Sequence, residues 1–141
     1  MDPKLRYIVR YAKVIVLLCL GAVLTGCKVD FSVPNQTPIE LSVYQSDRKV
    51  FTGPLRGDDL VVVTVNGWVA AHPDGWSYAF MTRPRNIYIA GENFSVNIQE
   101  REVSVKYCRG LLGCHFYVKN NDDLYPLILN TATLKALALK K

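Results

Sequence analysis

The sequence predicts an all-β fold, a small antiparallel β-sandwich followed by a short C-terminal helix. Three observations predict it. Apolar and polar residues alternate with a period of two through most of the chain after residue 38, as in strands with one buried face. Turn-forming residues recur about every eight to twelve residues along the same part. The folded part has about 100 residues, the size of one compact domain.

The predicted strands follow one another along the chain. Ile39, Leu41 and Val43 alternate with polar residues in IELSVYQ. The β-branched run LVVVTV, Leu60–Val65, predicts a strand that is buried on both faces. His72–Gly75 predicts a hairpin turn, because proline sets φ and glycine accepts a positive φ. The remaining predicted strands lie in NIYIA, NFSVNI, REVSVKYC and CHFYVKNNDDLYPLIL, the last of which contains a polar turn at Asn120–Asp123.

The C-terminal residues leave this alternation. In NTATLKALALKK, Leu134, Leu137 and Ala138 fall at helical spacing. Asn130 or Thr131 is suited to cap the start of a helix, and the two final lysines favour the negative end of its dipole. The sequence therefore predicts one short helix that lies on the sheet.

The amino-terminal residues have the pattern of an export signal. Four Lys and Arg residues precede an uninterrupted apolar run, Val14–Leu24. This run is short for a membrane span, which needs roughly 20 residues. A basic lead, a short apolar stretch and small residues at its end are typical of a signal peptide that is removed. We therefore expect residues 1–26 to be a cleaved signal.

The residues at the end of the apolar run, Leu24-Thr25-Gly26-Cys27, resemble the lipobox of bacterial lipoprotein precursors. In that family the cysteine thiol receives a diacylglycerol, the chain is cut just before it, and the new amino end is acylated. Several acyl chains on one residue give stable anchoring, whereas one chain is marginal. The resemblance implies lipidation of Cys27, and it covers residues 1–28 alone. An ordinary cleaved signal or a short membrane anchor is the alternative.

The residue after Cys27 bears on the location. In enteric bacteria, the family's sorting rule keeps lipoproteins with Asp at this position in the inner membrane. Lys28 stands there instead, so the resemblance implies an outer-membrane anchor with the domain facing the periplasm. Residues 27–38 contain two prolines and are predicted to form the acylated cysteine and a tether. Residues 39–141 are predicted to form the periplasmic domain.

The charge of the chain lies mostly in the leader. The whole sequence has 17 Lys and Arg against 12 Asp and Glu, and the leader holds four of these cations and Asp2. The mature chain therefore carries 13 cations against 11 anions, a net charge of +2. Nucleic-acid binding would require a basic stripe, so we expect no nucleic-acid partner.

Cys108 and Cys114 form an even pair in an oxidising compartment, between two alternating segments. They predict a disulfide at the base of a short hairpin, worth about 2 kcal/mol because the loop is small. The spacing is Cys-x5-Cys, whereas a redox motif needs Cys-x-x-Cys. A zinc site using these cysteines and His115 lacks an apparent fourth ligand. Metal binding and free thiols are the alternatives to the disulfide.

No pattern in the chain predicts catalysis. The sequence contains no G-x-S-x-G, no paired-His metal motif and no Gly-rich phosphate loop. His72 is interpreted as a solvated turn residue, and the acidic pairs Asp58-Asp59 and Asp122-Asp123 as turns or caps. We therefore expect no enzyme activity, no catalytic or metal site, no cofactor and no small-molecule substrate.

Protein binding remains, and two loops supply candidate residues. Leu111 and Leu112 form an apolar tip between the cysteines, beside Arg109. Arg56 and Asp58 lie in a second predicted loop, where Arg-Gly-Asp is interpreted as a chance match to the integrin tripeptide. Arginine, tyrosine and tryptophan dominate binding hot spots, although these residues also fill cores and solvate their rims.

Two kinds of protein partner are predicted for the anchored domain. By analogy of architecture, small β-rich lipoproteins serve as accessory components of envelope secretion and conjugation machines. The alternative is an immunity, exclusion or inhibitor protein that neutralises a periplasm-acting toxin, effector or lytic enzyme. A neutralising protein would present a protruding loop, whereas a machine component would offer a strand edge or a groove.

Overall fold

The computed structural model describes residues 26–35 and 38–138, with side chains described as far as residue 131. The predicted signal peptide, except Gly26, lies outside the described residues. This part of the chain has seven strands and two α-helices. Their bounds are β1 (Ile39–Gln45), β2 (Arg48–Leu55), α1 (Leu60–Ala71), β3 (Ser77–Tyr78), β4 (Ile87–Ala90), β5 (Phe94–Ile98), β6 (Glu102–Cys108), β7 (Cys114–Asn120) and α2 (Leu124–Ala138).

All seven strands belong to one antiparallel sheet, in the order β2-β1-β4-β5-β6-β7-β3. The predicted β-rich antiparallel class and the C-terminal helix are therefore confirmed. The predicted sandwich would have a second sheet as its second layer. In the structure, the two helices and the N-terminal segment cover the sheet instead.

Helix α1 replaces the strand that was predicted at Leu60–Val65. The prediction was wrong because it stopped at the β-branched run and missed the longer period. The buried residues of the helix recur at helical spacing over Leu60–Ala71, and tertiary packing of this face overrides the β-propensity of valine. They are Val61, Val62, Val65, Trp68 and Val69.

The hairpin predicted around His72–Gly75 is also absent from the described residues. The preceding segment is the end of α1, and the His72 backbone N–H donates to the Trp68 carbonyl at 3.1 Å. Strand β3 then pairs with β7, which places Tyr78 opposite Tyr117. The turn residues were identified correctly, but the turn follows a helix. It leads into β3, whose pairing partner, β7, is distant in the chain.

The core lies between one face of the sheet and the helices. Leu41, Ile89, Val96 and Val105 stand directly opposite one another on four neighbouring strands, and all four are completely buried. This row packs in one cluster with the buried face of α1. The alternation that predicted these strands therefore corresponds to a single buried face.

The N-terminal segment packs against this core rather than extending from it. Val29 and Val33 are buried. Asn66 of α1 holds the segment by two hydrogen bonds, because its Oδ1 accepts from the Val33 N–H at 2.7 Å and its Nδ2 donates to the Val33 carbonyl at 3.3 Å. Residues 29–33 of the predicted tether are therefore held against the domain.

Helix α2 begins at Leu124, so LYPLIL, which was predicted to continue the strand pattern, is helical, and the predicted caps Asn130 and Thr131 lie inside the helix. The side chain of Asn121 accepts from the Leu124 N–H at 2.9 Å and so caps the helix at its start. Leu124 and Ile128 are buried in the core. No helix in the described part of the chain is both long and apolar enough to cross a membrane.

Candidate functional site

The second face of the sheet is polar, and both described helices pack against the opposite face. Ser42, Tyr88, Asn97 and Ser104 stand opposite one another on β1, β4, β5 and β6. Three of these four, the two serines and the asparagine, are buried although they are polar. Something other than water must therefore cover them.

The cover over Asn97 and Ser104 is the connection between β3 and β4, residues 79–86, which we call the strap. It starts at one edge of the sheet and returns to a strand in its interior. The Asn97 side chain donates to the Pro84 carbonyl at 2.8 Å and accepts from the Asn86 N–H at 3.1 Å. Arg83 forms an ion pair with Glu102 at 3.0 Å, without the alignment of a hydrogen bond. These contacts hold the strap across the polar face.

A cavity of about 330 Å³ remains between the strap and the polar face. Arg83, Arg85 and Lys106 line it, and no acidic residue is among its lining residues. Tyr88 and Phe116 supply aromatic surface, next to the hydroxyl groups of serine and threonine side chains. Because Glu102 pairs with Arg83, Arg85 and Lys106 supply the cationic wall that suits the cavity to an acidic group.

Arg85 is held at the mouth of this cavity by two tyrosines. Its Nη1 donates to the Tyr44 hydroxyl at 3.2 Å, and its guanidinium lies 4.5 Å from the centre of the Tyr88 ring. The hydrogen bond from Arg85 lowers the pKa of Tyr44 against the opposing effect of burial, and it raises the pKa of Arg85. Arg85, Tyr44 and Tyr88 therefore form one cluster.

The predicted hairpin between Cys108 and Cys114 is present, and the disulfide is confirmed. The two cysteines stand directly opposite each other on β6 and β7. A 3₁₀ turn, Gly110–Leu112, forms the tip and exposes Leu111 and Leu112 to solvent. The guanidinium of Arg109 lies 5.3 Å from the centre of the Tyr107 ring. The structure thus brings the three predicted tip residues together.

Replacing both Cys108 and Cys114 with serine should lower the free energy of unfolding by about 2 kcal/mol, because the open chain gains loop entropy. The melting temperature should fall by about 10 °C. Thermal unfolding followed by circular dichroism measures this, with the wild type under the same conditions as the reference. Ready alkylation of Cys108 and Cys114 without reductant would contradict the disulfide.

The other predicted binding residues, Arg56 and Asp58, lie apart from the tip. They form an exposed ion pair at 3.2 Å in the turn between β2 and α1. The Arg56 backbone N–H donates to the Asp59 carboxylate at 2.6 Å, which closes this turn. Strand β2 is four strand positions from β6, a separation of about 19 Å. The structure therefore gives these two residues a local role in the turn.

Cys27 lies at the β3 edge of the sheet with an exposed side chain. Its N–H donates to the Trp76 carbonyl at 2.6 Å, and its carbonyl accepts from the Trp76 N–H at 3.2 Å. Burial raises the pKa of Tyr117, with smaller contributions from Tyr107 and the Cys27 thiol. The predicted lipidation site is therefore an integral part of this edge.

An aromatic ladder crosses the sheet beside Cys27, and sequence analysis missed it. Tyr107 stacks on Tyr117 at 6.0 Å, and Tyr117 meets Tyr78 edge-on at 5.3 Å. His115 lies against both Tyr107 and Tyr117. The sequence does show aromatic rings at alternate positions of HFY, His115 and Tyr117. Their neighbour on β3, Tyr78, is about forty residues away in the chain, so the sequence does not reveal the ladder.

The two histidines both lie against aromatic rings. Nδ1 of His72 lies 2.8 Å from the Trp68 carbonyl oxygen, and the ring stacks on Trp68 at 4.5 Å. His115 belongs to the aromatic ladder. Within the described residues, no three His, Cys, Asp or Glu side chains converge to hold a metal ion. The described surfaces are suited to binding through charge, aromatic rings and apolar contacts.

Comparison with known proteins finds no match to this chain among protein-family models, curated proteins or solved structures. The function proposed below therefore depends on the geometry of three features. These are the cationic cavity under the strap, the exposed hairpin tip, and Cys27 at the β3 edge.

Proposed function

We propose that the chain is an outer-membrane-anchored periplasmic lipoprotein that binds another protein, as an accessory component of an envelope secretion or conjugation machine. The observation that carries this proposal is the cationic cavity with Arg85 held between Tyr44 and Tyr88 at its mouth. Arginine and tyrosine are enriched among the residues that dominate binding energy. The partner is expected to insert an acidic side chain or a chain terminus into this cavity.

The edges of the sheet are less suited to a partner than the cavity is. Strand β2, at one edge, carries Arg48, Lys49 and Pro54, and charges and proline discourage strand addition. Strand β3, at the other edge, has only two residues. The groove mode of binding, which we associate with a machine component, is therefore favoured over strand addition.

The exposed tip at Leu111 and Leu112 favours a second candidate function. A rigid apolar loop closed by a disulfide is the kind of element with which an inhibitor fills a cleft. In that case the protein would be an immunity, exclusion or inhibitor protein that neutralises a toxin, effector or lytic enzyme in the periplasm.

Photo-crosslinking from intact envelopes separates the two functions. A photoreactive residue is placed at Thr82 in the cavity, at Leu112 in the tip, or at Val50 on the β2 edge as an exposed control. Crosslinks from Thr82 to several subunits of one assembly support the machine component. Crosslinks from Leu112 to a single toxin or hydrolase support the neutralising protein. Recovery of the same proteins from all three positions would overturn both.

Replacing Arg85 with alanine should weaken binding of the captured partner by about thirtyfold or more, because truncating a hot-spot arginine costs about 2 kcal/mol or more. The melting temperature should change little, since Arg85 is exposed. Arg48→Ala, which removes an exposed arginine from the β2 edge, is the matched control. Equal binding by both variants would show that Arg85 does not contact the partner.

A further inference from the structure

We propose that the β3 edge of the domain lies directly on the membrane surface, with an apolar patch in contact with lipid. The patch, called the edge patch, consists of Tyr78, Phe80, Met81, Leu111 and Leu112. The proposal rests on the lipid attachment at Cys27, and it gives the hairpin tip a lipid partner rather than a protein partner.

The first step is that no spacer separates the anchor from the domain. Two backbone hydrogen bonds join Cys27 to Trp76, at 2.6 and 3.2 Å. Two residues later, the Val29 N–H donates to the Pro73 carbonyl at 2.8 Å, and the Val29 side chain is buried. An N-acylated cysteine keeps one N–H, so lipidation preserves the bond from Cys27 to Trp76. The acyl chains therefore begin at the surface of the domain.

The second step is the direction in which the anchor leaves. The bridge between Cys27 and Trp76 is antiparallel. The residue before Cys27 lies against the turn that precedes β3, since a Cβ on Gly26 would stand 2.8 Å from the Gly75 Cα. An acyl group on the amino nitrogen of Cys27 takes the place of Gly26 and therefore begins beside this turn, at the β3 edge of the sheet.

The third step is that exposed apolar side chains concentrate at the end of β3 and at the hairpin tip. Nine large apolar residues are exposed in the part of the chain with described side chains, and five of them form the edge patch. The end of β3 and the hairpin tip are neighbours, because Phe80, Met81 and Cys114 line one cavity. The exposed fractions are 44% for Tyr78, 90% for Phe80, 69% for Met81 and 78% for Leu112, and Leu111 is fully exposed.

The chemistry of the patch and its rim fits a lipid surface. Tyrosine is favoured at membrane interfaces, where its ring is apolar and its hydroxyl is hydrated. Arg109 and Lys106, both exposed, flank the tip and can meet lipid phosphates. An anchor at Cys27 keeps the patch within reach of the bilayer at all times, which gives lipid a high effective concentration. A protein partner at the hairpin tip would have to displace that contact.

Depth-dependent quenching tests the orientation. The full lipidated protein, with a fluorophore on Phe80→Cys, is reconstituted into vesicles of phosphatidylethanolamine and phosphatidylglycerol with brominated acyl chains. Val50→Cys, an exposed apolar position on the β2 edge, is the matched control. We expect strong quenching of the label at residue 80 and little at residue 50. Equal emission from both positions would overturn the proposal.

The contribution of the tip is tested in the same labelled protein. Leu111→Asp with Leu112→Asp should lower the docked population by about tenfold or more, because two leucines lose their burial in lipid. Leu60→Asp with Val63→Asp, at exposed positions of α1, adds the same charge elsewhere and should leave the quenching unchanged. An equal loss in both double variants would overturn the role of the tip.

Intact mass of the same samples separates the two possible failures. A wild-type chain without acyl groups would overturn the lipid attachment, and with it the proposed anchoring. A chain that carries acyl groups but shows no quenching at residue 80 would overturn only the orientation. Crosslinking of Leu112 to a protein, together with unquenched labels, would assign the tip to the neutralising function.

Discussion

Replacing Trp76 with alanine is expected to lower the free energy of unfolding by about 3–5 kcal/mol, because a completely buried ring leaves a cavity. Trp76 meets Trp68 edge-on at 6.1 Å, and its indole N–H donates to the His72 carbonyl at 2.8 Å. The total free energy of unfolding of a domain of this size is about 5–15 kcal/mol, so the variant should be close to unfolding. Urea denaturation of the domain measures the loss.

Two matched variants give this result its meaning. Phe80→Ala removes an exposed aromatic ring and should change the free energy of unfolding by no more than about 0.5 kcal/mol. Trp76→Phe keeps an aromatic ring and loses the indole hydrogen bond, so its effect should fall between the two. A Trp76→Ala variant as stable as Phe80→Ala would show that this ring is not part of the core.

Replacing Cys27 with serine is expected to abolish lipidation entirely. The family's modification requires the thiol, and serine supplies only a poorly nucleophilic hydroxyl. The variant should keep its full-length mass, whereas the wild type should be shortened and carry acyl chains. Because the Cys27 side chain is exposed, the folding of the domain should be unaffected. Intact mass spectrometry of membrane fractions measures both masses.

Cys19→Ser is the control for this experiment. It removes the cysteine of the leader. This cysteine stands inside the apolar run, whereas Cys27 stands at the end of the lipobox. Its processing should match the wild type. If the wild type and Cys27→Ser both remained at full length in the membrane, the lipoprotein proposal would be falsified.

The meander β4 to β7 was predicted because its neighbours in the sheet are also neighbours along the chain. Alternation assigns one face of each strand, and short turns at Gly91 and between the cysteines set the pairing. Helix α1 was not predicted, because a run of three valines has the composition of a strand. Only the packing of Trp68 and Val69 together with the earlier valines reveals its period.

The candidate sites divide in the same manner. Cys27 and the disulfide were predicted because a lipobox and a pair of closely spaced cysteines are local patterns. The cationic cavity was not, because it requires the strap to cross the polar face and place Arg85 against Tyr88. The edge patch required a strand of two residues to pair with β7, about forty residues away.

By itself, the sequence determined the disulfide and a β-rich antiparallel domain, and it predicted an export signal and a lipidation site, because each depends on residues close together in the chain. The tertiary structure decided that the second layer is helical, that the polar face holds a cavity and that Cys27 is bonded into the β3 edge. The physical reason is that these features depend on distant contacts, such as those of Trp76 with Cys27 and of Asn66 with Val33. Such contacts exist only after the chain has collapsed around its core.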